Sequence, residues 1–75
     1  MEELTFGQKA VGLNFNPSGD DKVGQVKQTF ATLIDNVVNE HESPSILKNL
    51  FQEMAVKSLV SAQMAVVKFI TYSEN

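Results

Sequence analysis

The feature that most constrains this chain is a stretch in its second half that is apolar on nearly every side. Ile46, Leu47, Leu50, Phe51, Met54 and Ala55 lie along one stripe at helical spacing. From Val56 onward the apolar residues Val56, Leu59, Val60, Ala62, Met64, Ala65, Val66, Val67, Phe69 and Ile70 run almost all the way round. A helix apolar on all sides has to be buried on all sides. One antiparallel neighbour covers one face, so a lone hairpin would leave much apolar surface in water. The expectation is an obligate homo-oligomer built mainly through this helix. Ser58, Ser61, Ala62 and Ala65 would let neighbouring helices approach closely. Lys57 reads as a side chain that lays its stem on apolar surface and keeps its charge in water. Lys68 stands open between that role and contact with an anionic ligand, since burying an unpaired cation is costly.

The preceding long segment is simpler. Val23, Val26, Phe30, Leu33, Ile34, Val37 and Val38 recur at intervals of three and four, which gives a helix with one apolar stripe. It is expected over about 20–42 and, at about 1.5 Å per residue, is roughly 34 Å long. Asp20 and Asp21 suit its positive N-terminal end. Ser43 is read as the cap of the next helix and Pro44 as its first residue, where a missing N–H costs nothing. So short a connection makes the two helices antiparallel neighbours. The expected fold is all-α: a single domain over 1–75, with an arm or helical turn over 1–19, helix one over about 20–42 and helix two over about 44–71. Helices one and two form an antiparallel hairpin within a homo-oligomer.

In the arm, Leu4, Phe6, Val11 and Leu13 are apolar points, with Gly7 and Gly12 between them. A helical turn is expected around Phe6–Val11. Lys9 reads first as a solvated lysine and second as a contact for a ligand phosphate. The stretch Asn14-Phe15-Asn16-Pro17-Ser18-Gly19-Asp20 punctuates arm and helix. Pro17 disfavours helical backbone at Asn16, and Ser18 or Asp20 can cap the helix. Free N–H groups at a positive helix end, beside an exposed Phe15 and near Lys22 and Lys27, would also seat a nucleotide phosphate. Ordinary capping is the favoured reading of these residues alone.

Composition narrows the function. Seventy-five residues make one domain at most, in a range where a lone core is marginal. No cysteine is present, and the single histidine, His41, reads as solvated between Glu40 and Glu42. Metal sites and cofactors are therefore not expected. A net charge of −3 argues against DNA or RNA polymers, which need a basic stripe. All six cations are lysines, so bidentate arginine clamping of phosphate is excluded and any phosphate ligand must be small. The longest apolar run is only a few residues, so no signal peptide or membrane span is expected, and the chain reads as soluble and cytosolic. No Ser/His/Asp set, glycine-rich phosphate loop or paired acid and base appears. Asp35, Glu40 and Glu42 read as a solvated face, and an enzyme is not expected.

The segments Phe6-Gly7-Gln8-Lys9-Ala10-Val11-Gly12 and Phe15-Asn16-Pro17-Ser18-Gly19, with Val26-Lys27 and Leu33-Ile34-Asp35, resemble a family of small bacteriophage proteins. These proteins carry a helical-hairpin domain and sequester the cyclic oligonucleotide signals of bacterial CBASS immunity. Related domains occur in viral anti-Thoeris sponges. The segment Ala62-Gln63-Met64-Ala65-Val66-Val67-Lys68-Phe69-Ile70 is similar to the closing helix of that domain, although a tryptophan often follows the methionine and Ala65 stands here. The similarity covers nearly the whole chain, through short motifs.

The resemblance implies a non-enzymatic hexamer in the host bacterial cytoplasm that binds cyclic dinucleotides such as 3′,3′-cyclic GMP-AMP. It also implies, in some members, cyclic trinucleotides. Hexamers of dihedral symmetry offer both two-fold and three-fold axes for such ligands. By position, Phe15 would stack a base, Lys27 with Asn16 and Ser18 would meet the dinucleotide phosphates, and Lys68 would serve a trinucleotide. Asn14, Asn16, Gln25 and Thr29 are candidates for reading base edges. Two alternatives remain: a module that binds and inhibits a host protein, and a structural virion component.

Overall fold

Three helices form from three local start signals. The computed structural model describes residues 3–40 and 45–74, and it contains α1 (Phe6–Val11), α2 (Asp21–Val38) and α3 (Ile46–Thr71). Among the described residues there is no strand. Thr5 opens α1 with a reciprocal capping box: its Oγ1 accepts from the Gln8 N–H at 3.1 Å, and the Gln8 Oε1 accepts from the Thr5 N–H at 2.9 Å. Gly12 closes it with φ of 64°, a left-handed conformation that glycine adopts without Cβ strain. The expected turn around Phe6–Val11 is thus a short helix capped at both ends.

The long helices are shorter than their apolar patterns suggested. Asp20 is the cap of α2, its carboxylate accepting from the Lys22 N–H at 2.8 Å. The helix ends at Val38, not near residue 42. No apolar residue follows Val38 before Ile46, so further turns would bury nothing. The cap of α3 is Ser45, which accepts from the Lys48 N–H at 3.2 Å, two residues after the serine expected in that role. Ser43 and Pro44, with His41 and Glu42, lie outside the described residues.

Packing centres on Ala31 and Ile34 of α2, both fully buried, with Val11 of α1. Val56, Leu59 and Val60 of α3 pack against this cluster, as do Phe30 and Val38. The start of α3 meets the end of α2, where the Gln52 Nε2 donates to the Val37 carbonyl at 2.8 Å. At the other end, Val67 and Thr71 line a cavity together with Val23 and Lys27. Gly7 brings α1 onto α2, and its N–H donates to the Asp35 Oδ1 at 2.7 Å. Asp35, read from sequence as part of a solvated face, is half-buried and fastens two helices.

Only one side of α3 is covered. Ile46, Leu47, Leu50, Phe51, Met54, Met64 and Phe69 are all exposed, and the only buried α3 residue among those described is Gln63. Lys57 is exposed and pairs with Glu53 at 3.2 Å, a surface contact of small energetic value. The absence of long uninterrupted apolar runs predicts no membrane span, yet α3 is long and apolar enough to cross one by length and composition alone. Lys57, Gln63 and Lys68 interrupt the runs, yet the helix stays apolar on average. The core helix of a soluble protein passes the same test, so this property assigns no membrane.

Candidate ligand site at the start of α2

The turn that enters α2 is held by a closed set of polar contacts. Gly19, with φ of 67°, donates to the Asn16 carbonyl at 3.1 Å. The Ser18 Oγ donates to the Asn16 Oδ1 at 2.7 Å and accepts from the Asp20 N–H at 3.1 Å. The Asn16 Nδ2 donates to the Asp20 carbonyl at 3.0 Å. Asn16 and Ser18 therefore build the turn, a local role typical of such side chains. The carboxylate of Asp20 already occupies the positive end of α2, the place considered from sequence as a phosphate seat. A ligand phosphate there would meet a like charge.

Lys27 is only 5% exposed, although it is a lysine on a helix with an open face. Its register explains this. Val23, Lys27, Ala31 and Ile34 share the buried stripe of α2. The ammonium donates to the Gly12 carbonyl at 3.0 Å and to the Phe15 carbonyl. The Phe15 N–H donates to the same Gly12 carbonyl at 2.8 Å, so the lysine braces a closed turn at the end of α1. Two carbonyl oxygens thus meet the cost of burying the charge.

Phe15 lies over this clasp with the Lys27 Nζ 5.5 Å from its ring centroid, within cation–π range. The ring itself is 72% exposed. It forms part of the wall of two cavities. One, of about 200 Å³, is lined by Phe15, Asn16, Pro17, Ser18, Val23, Lys27, Val67 and Thr71. The other, of about 450 Å³, lies against α1 and includes Gln8, Lys9, Gly12 and Asn14. Phe15, Asn16, Ser18 and Lys27 are thus brought together. Lys68 is exposed on α3 and lines neither cavity. Of the candidates for reading base edges, Asn14 joins the Phe15 region, whereas Gln25 and Thr29 line a separate shallow depression on α2.

Lys9 was the residue to weigh more heavily from sequence, since the six-residue helix capped by Thr5 carries it back beside Phe15. No group of three or more His, Cys, Asp or Glu side chains arranged to hold a metal ion occurs among the described residues. No family model matches the chain, and comparisons with curated proteins and with solved structures also give no match.

Proposed function

We propose that the protein is a non-enzymatic sponge for cyclic dinucleotides, of the 3′,3′-cyclic GMP-AMP type, that acts in the host bacterial cytoplasm against cyclic-nucleotide immunity. The observation that carries this reading is the Phe15 ring: an aromatic face held open to solvent on a braced turn, in the wall of two cavities. An exposed ring on a fixed backbone is what a nucleobase needs for stacking, worth about 1–3 kcal/mol. The smaller cavity, at about 200 Å³, is below the range of roughly 300–1,000 Å³ that encloses a drug-sized ligand. It suits one base, and the remainder of a two-fold ligand would meet a second protomer.

The uncovered apolar side of α3 supports assembly in the same way. In this reading α2 and α3 are the arms of an antiparallel hairpin, and copies join through α3 into a closed oligomer, a hexamer by resemblance. Lys68, exposed on α3, would meet a cyclic trinucleotide between copies. Sedimentation at micromolar concentration is expected to give a several-fold multiple of the 8.3 kDa chain. A species of single-chain mass would remove the shared site.

Ligand binding is tested by thermal unfolding. A ligand held only by the folded form stabilises it by RT ln(1 + [L]/Kd), about 2.7 kcal/mol at one hundred times Kd, or on the order of 10 °C for so small a domain. Phe15→Ala is expected to weaken binding by roughly 5- to 100-fold. It should leave the melting temperature without ligand nearly unchanged, because the ring is exposed. A panel of cyclic di- and trinucleotides that produces no shift would overturn the reading. A second reading, docking to a host protein, is favoured by Ile46, Leu47, Leu50 and Phe51, which present an apolar stripe at one end of α3. It predicts no shift with any nucleotide.

A further inference from the structure

We infer that the two lysines flanking Phe15 divide the work of this site: Lys27 is a positioning residue that holds the ring, and Lys9 is the cation that meets the ligand phosphate. The first half stands on geometry alone. The second rests on the sponge reading for the identity of the ligand.

Lys27 is poorly placed to serve a phosphate. The residue is 5% exposed, and its ammonium donates to the carbonyls of Gly12 and Phe15. Two of its three N–H groups are thus taken, so it has at most one left for an anion in the small cavity it helps to line. Turning further toward a ligand would break hydrogen bonds in a part-buried place where they are expensive to lose. Those two carbonyls bracket the turn that carries the Phe15 ring, and the Phe15 N–H closes that turn on the Gly12 carbonyl at 2.8 Å. The same ammonium lies 5.5 Å from the ring centroid. The backbone that carries the ring is thus tied to one buried charge on α2, and the ring lies within cation–π range of the same charge, which together favour one placement of it.

That arrangement prepares a stacking surface. A base that meets a ring already fixed in place loses less ordering entropy on binding. The cation also draws on the ring's electron density from its side. Lys9 differs in each respect. It is exposed, sits in the last turn of α1, and lines the cavity of about 450 Å³ that shares Phe15. A compact, hydrated ammonium at the rim of the cavity suits a phosphate.

The test uses Phe15→Trp as a reporter, because the chain contains no tryptophan of its own. In that background Lys27→Met, of similar length and uncharged, is expected to increase the amplitude of fast ring motion in time-resolved anisotropy. In the chain with Phe15 retained, Lys27→Met should weaken 3′,3′-cyclic GMP-AMP binding by roughly 10-fold while the salt dependence of affinity persists. Lys9→Met should flatten that salt dependence and leave the reporter's motion unchanged. Unchanged ring motion in Lys27→Met, or a flattened salt dependence there and not in Lys9→Met, would overturn the assignment.

Should Lys27→Met fail to fold, the unaltered protein labelled with ¹⁵N-lysine decides. A slowly exchanging Lys27 ammonium signal that persists when ligand is added supports the clasp. Coupling from that nitrogen to ligand phosphorus overturns it. If the unaltered protein binds no cyclic nucleotide, the Lys9 assignment falls with the sponge reading, and the anisotropy experiment still decides the clasp.

Discussion

Gly7→Ala is expected to lower the melting temperature by roughly 10–20 °C, the signature of about 3 kcal/mol lost from a domain of this size. A Cβ built on Gly7 would lie 2.1 Å from the Ala31 carbonyl oxygen, 2.8 Å from its carbon and 2.9 Å from the Asp35 Oδ1. The first two atoms are backbone in the middle of α2 and cannot swing aside. The substitution must therefore push α1 outward, which also strains the 2.7 Å bond from the Gly7 N–H to Asp35. An opposing effect exists, since alanine favours a helix over glycine by about 1 kcal/mol. Against a backbone clash of this depth it loses. Gly24→Ala isolates that smaller term, because a Cβ there meets nothing within 4 Å. It is expected to stabilise by about 0.5–1 kcal/mol. Paired thermal melts check both signs, and a neutral Gly7→Ala would mean that α1 does not sit on α2 this closely.

Ile34→Ala is expected to cost about 2–5 kcal/mol in chemical denaturation, a large share of what a domain this small possesses. Ile34 is 0% exposed and is the largest fully buried side chain among the described residues. It lies where Val11 of α1 and Val56, Leu59 and Val60 of α3 converge on α2. Removing its side-chain atoms opens a cavity that all three helices would have to move to fill. Among the described residues the buried hydrophobic side chains are Val11, Val23, Ala31 and Ile34. So small a core leaves little reserve, and the proposed assembly through α3 would supply the burial that the single chain lacks. Leu33→Ala, one residue away and exposed, is the control and should cost far less in the isolated chain.

The helical architecture was legible in the sequence because the period of the apolar residues carries it. The stripe from Val23 to Val38 and the all-round pattern after Val56 correspond to one helix with a buried face and one with too much apolar surface for its neighbours. Helix ends were less legible. Ser43 and Ser45 both suit a cap, and pattern alone does not choose between two serines separated by one residue.

The site was legible in part, for a different reason. Phe15 stands outside the helical pattern, and that is why its exposure could be read. Lys27 was judged by its charge alone, and its burial was missed because that depends on register: the face it shares with Val23 and Ala31 is the buried one. Asn16 and Ser18 are polar residues whose partners lie within four positions, and local turn chemistry explains them fully. The contact between Gly7 and Ala31 left no local trace, since it depends on two segments far apart in the chain meeting at one point. Lys68 remains apart from the Phe15 cavities, so the trinucleotide role proposed for it belongs to a different place on the chain.

Calorimetric titration of the purified protein with 3′,3′-cyclic GMP-AMP, followed by denaturation and recovery of the nucleotide, tests the sponge reading most directly. Fewer than one nucleotide bound per chain, released intact, is the predicted result, because a two-fold ligand would be shared between protomers. No binding of this ligand or of other cyclic di- and trinucleotides, or release of a cleaved product, would contradict it.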